Sequence, residues 1–500
     1  MSCCDNIRVS WDECVIRNVT SQDKVGMSMN RRDFFKSGVA AAAVAAVPCR
    51  SALGFPMLFA GNVRAYRANE TVQVAAIGAA GRAVLNINGL AKAGGRIVGL
   101  CDVDTRRIEP MLSRYKEAPF FRDWRKMLDV LGKDVDAVTI GVPDHWHARM
   151  AIECLDRGKH VQCEKPLCQS YHEMDEMLAA VRRNPGLVNQ TMNQGHAYDS
   201  LRDFREWIEA GLIGEATEAH MWSPGVYTAM HRLKELGQDV PVPAELDWER
   251  WQGPVPHRKY CPIFLPGRWR FWTDYGSSTL GDWCCHLMDP VFWTFGLTLP
   301  DSVKVEVSGK WDPVAHALTF PKGARTTFKF RKSNGGTFKL VWHDGIASKE
   351  VPIPAQWKGD KDMFPPHDSE KARKSRKGMV NGAFVYGEKG VLEYGHHGAI
   401  YLKMLPDTTI AKLKADGGCP SRKYPRVPGG GPYKEFLAAI KGGSKVGSDF
   451  AYGGLMTKSA LLGIAALFDP GKELAFDKDK ELFTNSSAAN ARLTLPRIKA

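Results

Sequence analysis

The sequence predicts an α/β protein in which a doubly wound parallel sheet is followed by a second α/β domain with an open, mostly antiparallel sheet. Three observations carry that expectation. Apolar, β-rich runs alternate with helical stretches from Val72 to Asn193 at the spacing of βα units. The first unit holds a glycine turn between its strand and its helix. After Gly195 the regular helices give way to strand-like runs divided by turns and insertions. With 500 residues, 44% hydrophobic and 25% charged, the chain can bury two cores of ordinary globular composition.

Taken in order, the chain opens with an export signal. Arg31-Arg32-Asp33-Phe34-Phe35-Lys36 precede the apolar run Gly38 to Val47, which is too short and too rich in alanine to span a membrane. Paired arginines before such a run are the pattern of a twin-arginine signal. We read 1–26 as an extension outside the working protein, 27–54 as the signal, with cleavage near Ala52-Leu53-Gly54, and 55–70 as a linker or arm. Export of an already folded protein points to a cofactor acquired in the cytoplasm, to a periplasmic or otherwise exported destination, and to a membrane met only in transit.

The first βα unit, expected to open a domain over 71–194, carries a phosphate-binding turn. Val72 to Ile77 reads as a strand, Gly78-Ala79-Ala80-Gly81-Arg82-Ala83 as the turn, and Val84 to Lys92 as a helix. Backbone N–H groups and the helix dipole would converge there on a pyrophosphate. The next strand, Arg96 to Cys101, ends at Asp102, placed to accept hydrogen bonds from ribose hydroxyls; its charge favours NAD and leaves NADP open. Gly78, Ala80, Gly81, Arg82 and Asp102 are therefore cofactor candidates. Ala80 and Ala83 depart from the G-x-G-x-x-G pattern, and Ala80 puts a methyl where backbone should approach phosphate.

The alternation continues through the strand Asp136 to Val142 and a helix to Leu155, with Asp144 expected as its N-cap. Pro143 and His147 fall at that strand's carboxyl end, beside the cofactor groove. The next strand runs into Glu164-Lys165-Pro166, where proline stops the ladder and leaves Glu164 and Lys165 at the edge where ligands bind. A lysine there can hydrogen-bond a substrate hydroxyl and stabilise charge developing on its oxygen. A helix from Tyr171 to Val181 and a strand from Leu187 to Asn193 complete the half.

A second domain over 195–470 is expected to carry the substrate, with 471–500 as a tail. After a helix at 201–210, strand-like runs recur at 215–222, 302–311, 325–330, 337–342, 390–394 and 399–404. Between the first two lies the aromatic stretch Arg268 to Gly276, leading into Asp282-Trp283-Cys284-Cys285-His286. Asp282 and His286 are four apart and share one face of a helix, a spacing that suits a proton-handling pair. Trp272, Tyr275 and His196 are substrate-binding candidates, although aromatic rings of this kind equally build cores.

The net charge of +13 is densest at Lys371 to Lys377, inside a polar insertion. That run has no interleaved aromatics and reads as a solvated loop with no nucleic-acid role, though a basic surface also favours anionic polysaccharide. Twelve cysteines form no CxxC pair and no zinc-finger spacing, so we expect no metal and read most as small buried hydrophobes.

Together these motifs resemble the Gfo/Idh/MocA oxidoreductases, the glucose-fructose oxidoreductase and inositol dehydrogenase family. The resemblance rests on the Gly78–Ala83 turn, Asp102, Pro143-Asp144-His145-Trp146-His147, Glu164-Lys165-Pro166 and Asp282-x-x-x-His286, and runs to the helical stretches at 432–440 and 455–467. It implies a Rossmann domain followed by an α/β domain whose open sheet mediates homo-oligomers, with sugar or polyol chemistry on a bound nicotinamide. It further implies that Lys165 bridges substrate and nicotinamide, Asp282 binds substrate and His286 takes the hydroxyl proton. Two other readings stand beside it: a redox-neutral glycoside hydrolase or lyase on the same fold, and a non-catalytic carbohydrate-binding protein.

Overall fold

In the computed structural model the described residues are 70–493, apart from 333, 356, 358–380, 407 and 428. The export signal and the Lys371–Lys377 run lie outside them.

The first half folds as the alternation predicts. Strands β1 (Gln73–Ile77), β2 (Arg96–Cys101), β3 (Phe120–Phe121), β4 (Ala137–Ile140), β5 (His160–Cys163) and β6 (Asn189–Thr191) form one parallel sheet in the order β3-β2-β1-β4-β5-β6. Helices α1 (Ala83–Lys92), α2 (Glu109–Arg114), α3 (Trp124–Leu131), α4 (Asp144–Asp156) and α5 (Glu173–Arg183) connect them. β4 and β5 are buried throughout, as a sheet covered on both faces requires. Strand order reverses between β1 and β4, and the crevice at their carboxyl ends is where a doubly wound sheet binds ligands.

The second sheet has nine strands in the order β13-β12-β11-β7-β10-β9-β8-β14-β15, and its β7–β10 pair is parallel while the others are antiparallel. Its members are β7 (Ala216–Ser223), β8 (Ser302–Ser308), β9 (Gly323–Arg331), β10 (Thr337–Asp344), β11 (Gly382–Gly387), β12 (Val391–Gly395), β13 (Ile400–Leu405), β14 (Glu473–Asp477) and β15 (Leu482–Phe483). β11 was absent from the expected strands, although Ala383-Phe384-Val385 is β-rich. β14 and β15 come from the expected tail: β14 pairs with β8, so residues beyond 471 extend this sheet.

α6 (Asp199–Glu209), α7 (Trp248–Gln252) and α8 (Ser278–Phe295) belong to the second half. The helix Pro432–Ile440 returns to the first, burying Phe436, Leu437 and Ile440 with Val74, Ile87 and Leu90. The helix Phe450–Ala466 packs on α8 and α5. The stretch between β7 and α8 builds an aromatic core of its own from Trp248, Trp251, Phe264, Trp272 and Tyr275. Of the cysteines described, seven are buried and Cys419 is exposed. No helix among the described residues is long and apolar enough to cross a membrane.

Candidate functional site

A cleft of about 490 Å³ runs along the carboxyl ends of β2, β1, β4 and β5 to α8, and all the cofactor and proton-handling candidates line it. At its centre α1 starts with no side-chain cap and no carboxylate in its first turn, leaving N–H groups for an anion. Gly78 takes φ +93°, and a Cβ there would lie 2.5 Å from the Gly141 carbonyl oxygen, so β1 and β4 can approach this closely only with glycine. Asp102 accepts from Ala79 N–H at 2.9 Å and Asp104 N–H at 3.0 Å, which fixes its carboxylate while leaving lone pairs for hydroxyls. These residues fit a dinucleotide with a ribose at Asp102.

The stretch between β7 and α8 closes the far wall. Asp247 N–H donates to Val103 O at 2.9 Å, Trp146 Nε1–H to Trp251 O at 3.0 Å, and Arg250 and Trp251 face the groove from above. His147 lies between two strand ends, its ring nitrogens 2.6 Å from Pro166 O and 2.9 Å from Val142 O; burial lowers its pKa, and the neutral ring donates its single N–H to one of these carbonyls.

Glu164 and Lys165 end β5 with different partners. Arg82 Nε donates to Glu164 Oε1 at 2.7 Å and Asn86 Nδ2 to the same oxygen at 3.0 Å. Burial works against the Glu164 charge, but Arg82 outweighs it and the carboxyl stays below its usual range. Lys165 Nζ reaches α8, donating at 2.6 Å to both the backbone oxygen and Oδ1 of Asp282. Burial disfavours its charge too, and Asp282 reverses the effect, so the ammonium is retained.

Asp282 also accepts from Tyr227 O–H at 3.0 Å and lies 3.4 Å from Arg270 Nε. Against burial, Lys165 and Arg270 hold its carboxyl well below the ordinary carboxylate range. One turn along α8, His286 Nδ1 is 3.1 Å from Asn193 Oδ1, while burial first, then His397 and Lys165, push its pKa far down. The imidazole is therefore neutral, and if Nδ1–H serves Asn193, Nε2 keeps its lone pair. Cation, carboxylate and neutral imidazole thus converge at one end of a nucleotide-sized groove.

Family models match this architecture in the same two parts. The Gfo/Idh/MocA model described as an oxidoreductase family, NAD-binding Rossmann fold, matches residues 72–191, and the model of the family's C-terminal α/β domain matches 202–318. The chain belongs to the Gfo/Idh/MocA oxidoreductase family. A twin-arginine signal model matches 28–48, so the chain carries a signal for export by that pathway. Levoglucosan dehydrogenase of Pseudarthrobacter phenanthrenivorans is 34% identical over 175 residues, 35% of this chain and 36% of that one. A glycosyl hydrolase family 109 protein of Solibacter usitatus is 29% identical over 162 residues, 30% of this chain and 37% of that one. The chain therefore spans a little over a third of the length of these curated relatives. In fold it is similar to the WlbA dehydrogenase of Bordetella pertussis, solved with NADH and UDP-GlcNAcA, at a TM-score of 0.53 and 15% identity, over 82% of this chain and 98% of that one.

Within this family fold, four expectations need correction. Trp272 and Tyr275 do not line the cleft; they pack inward against Phe264, where apolar burial outweighs any role at the surface. At this end the cleft is lined instead by Trp269, from the same stretch, and by Trp283, from α8. His196 is sealed away from it, its Nδ1 2.8 Å from Asp289 Oδ1. Asp144 is not the N-cap of α4: Pro143 holds that position, and Asp144, the first helical residue, faces the cleft, where burial pushes its carboxyl up to about 7.

Sequence reasoning also missed contributors. Tyr227 precedes the aromatic stretch by forty residues and carried no motif. Gln194 and His397 line the cleft as well. The His397 ring lies 4.0 Å from that of His286, on a hairpin whose Gly398 presses against Gly195 so tightly that neither has room for a Cβ. The paired histidines in Tyr394-Gly395-His396-His397-Gly398 were the available signal. Elsewhere among the described residues His172, Asp175 and Glu481 have metal-ligand spacing, but Lys458 Nζ already sits 2.5 Å from Asp175 and 2.7 Å from Glu481.

Proposed function

We propose that this chain is an exported, NAD-dependent oxidoreductase acting on a hydroxyl of a sugar or polyol. The observation that supports it is the convergence of Lys165, Asp282 and neutral His286 at the end of the nucleotide groove. A bound nicotinamide would accept the hydride from the carbinol carbon. Lys165 donates a hydrogen bond to the substrate hydroxyl and steadies negative charge developing on its oxygen. Asp282 keeps that ammonium charged and aimed. His286 Nε2 takes the hydroxyl proton, while Asn193 holds the ring in the tautomer that leaves this lone pair free. Sugar dehydrogenases among the relatives support the substrate class, and the export signal supports a periplasmic site of action.

A second, redox-neutral reading as a glycoside hydrolase or lyase is favoured by the twin-arginine signal together with the relative named as a glycosyl hydrolase family 109 protein. Free nicotinamide is scarce outside the cytoplasm, and a cofactor that never leaves the site suits that compartment.

The test begins with protein purified from its native compartment. Denaturation is expected to release nicotinamide, and a screen of sugars and glycosides should follow NADH absorbance and product together. Lys165→Ala is expected to lower turnover by roughly 10²–10³-fold. Product from a glycoside without NADH supports the redox-neutral reading. Absence of bound nicotinamide, or full turnover by Lys165→Ala, overturns the proposal; ligand binding untouched by that substitution and without turnover would leave a carbohydrate-binding protein.

A further inference from the structure

The substrate end of the cleft has more fixed positive than negative charge. Arg82 and Glu164 neutralise one another at 2.7 Å. Lys165 and Arg270 share the single carboxylate of Asp282, Lys165 at 2.6 Å and Arg270 at 3.4 Å, the latter beyond a strong hydrogen bond. Asp144, the other carboxyl facing these cations, is pushed up to about 7 by burial and carries at most a partial charge at neutral pH. One cation therefore lacks a full counter-charge in a half-buried place, a condition that favours an anionic ligand.

The geometry of Arg270 suits one kind of anion. Its guanidinium lies over the Trp269 ring, 4.1 Å from the centroid, and lines the cleft with 28% of the side chain exposed. A planar fork steadied on an aromatic face is arranged for the two oxygens of a carboxylate. The cleft also offers Gln194, whose Oε1 is buried without a hydrogen-bond partner and would accept from a hydroxyl. Trp283 adds an apolar face for ring C–H groups. The net charge of +13 attracts anions to the protein as a whole.

We propose that the substrate is a sugar acid of the hexuronate class, with its carboxylate seated on the guanidinium of Arg270. This rests on the proposed function for which end of the cleft receives substrate, and on the charge count and the free acceptor for the carboxylate and the hydroxyls. Arg270 then sets specificity, with Lys165 and His286 acting on a ring hydroxyl.

The experiment compares three pairs, glucuronate with glucose, galacturonate with galactose and mannuronate with mannose, on the full chain loaded with NAD. Calorimetric binding and NADH formation are both followed, for the wild type, Arg270→Gln and Arg270→Lys. Circular dichroism and NAD retention check that the variants fold. At least one hexuronate is expected to bind roughly tenfold or more tighter than its neutral partner, with the preference lost in Arg270→Gln and partly kept in Arg270→Lys. Equal binding within every pair, no binding of any hexuronate, or a preference surviving in Arg270→Gln overturns the carboxylate seat. Failure of the two proposals separates cleanly: hexuronate preference without oxidation keeps the seat and removes the oxidoreductase, whereas oxidation of hexoses without preference does the reverse.

Discussion

The loop Asn193–Ala197 meets α8 through two polar rungs one helical turn apart. At the first, Asn193 Oδ1 lies 3.1 Å from His286 Nδ1; at the second, His196 Nδ1 lies 2.8 Å from Asp289 Oδ1. Both imidazoles are buried and both pair across the same two segments. The first opens onto the cleft, its ring edge to face with those of His397 and Trp283. The second is sealed under Trp293 and Tyr452, whose hydroxyl donates to the same Asp289 oxygen at 2.6 Å. The segments and the spacing are alike; the acceptor is an amide at the first rung and a carboxylate at the second, and only the first has access to a cavity.

Breaking the rungs one at a time should give opposite phenotypes. His286→Ala is expected to cut turnover by roughly 10²–10⁴-fold, the range for loss of a general base, with little change in melting temperature. His196→Ala leaves the buried Asp289 without its imidazole and should cost about 3–5 kcal/mol of stability, while the protein that folds keeps its turnover. Thermal unfolding and single-turnover assays on both variants check the pair of outcomes. If His196→Ala lost turnover and His286→Ala lost stability, the assignment would be reversed.

Acid should separate the buried histidines from buried carboxyls as well. His286 is neutral with a strongly lowered pKa, and burial lowers His397 to about 2 and His396 and His160 to about 4. Ordinary histidine titrates near 6.5, so between that value and about 4 the unfolded chain binds more protons than the folded one. Buried histidines therefore lower stability as pH falls through this window, by about 1.4 kcal/mol per unit for each net proton taken up. Asp144 acts with the opposite sign: its raised pKa stabilises the fold at low pH and is lost as pH rises through about 7. Asp344, raised by burial to about 7, acts the same way; denaturant titrations between pH 7 and 4 measure the slope, and Asp144→Asn should steepen it below 7 by removing one of the opposing groups.

The contrast between the rungs also says what the sequence could show. The cofactor half was legible because strand, turn and helix are contiguous: Gly78 to Ala83, Asp102 and Lys165 each follow directly from where a strand ends. α8 was legible for the same reason, since Asp282 and His286 lie four apart on one helix. The rest of the substrate end was not, because Tyr227, Arg270, Gln194 and His397 come from four separate segments and meet only in the fold. Trp272 and Tyr275 cannot be told from Trp269 in the sequence, because aromatic residues in one stretch look alike until packing decides which turn inward. The place of His196 is not legible in the sequence, because its burial under Trp293 and Tyr452 depends on residues far along the chain.

The smallest expected effect tests how the first rung works. Asn193 Oδ1 is placed to accept from His286 Nδ1–H, and nothing else about Asn193 joins it to the chemistry; its own Nδ2 is buried without a partner. Asn193→Leu removes the acceptor and lets the imidazole populate the other tautomer, which points an N–H at the hydroxyl it should deprotonate. Because the ring and its burial persist, the loss is bounded by one neutral hydrogen bond, about 0.5–1.5 kcal/mol, or roughly two- to tenfold in kcat. Asn193→Asp keeps the acceptor and adds a carboxylate, which stabilises the imidazolium, so the acid limb of the kcat profile should move to higher pH with the rate largely kept. A residue that only packed against the ring would lower kcat in both variants and leave the profile where it was. Movement of the limb in Asn193→Asp alone is therefore the result that ties this rung, and not the one beneath it, to proton transfer.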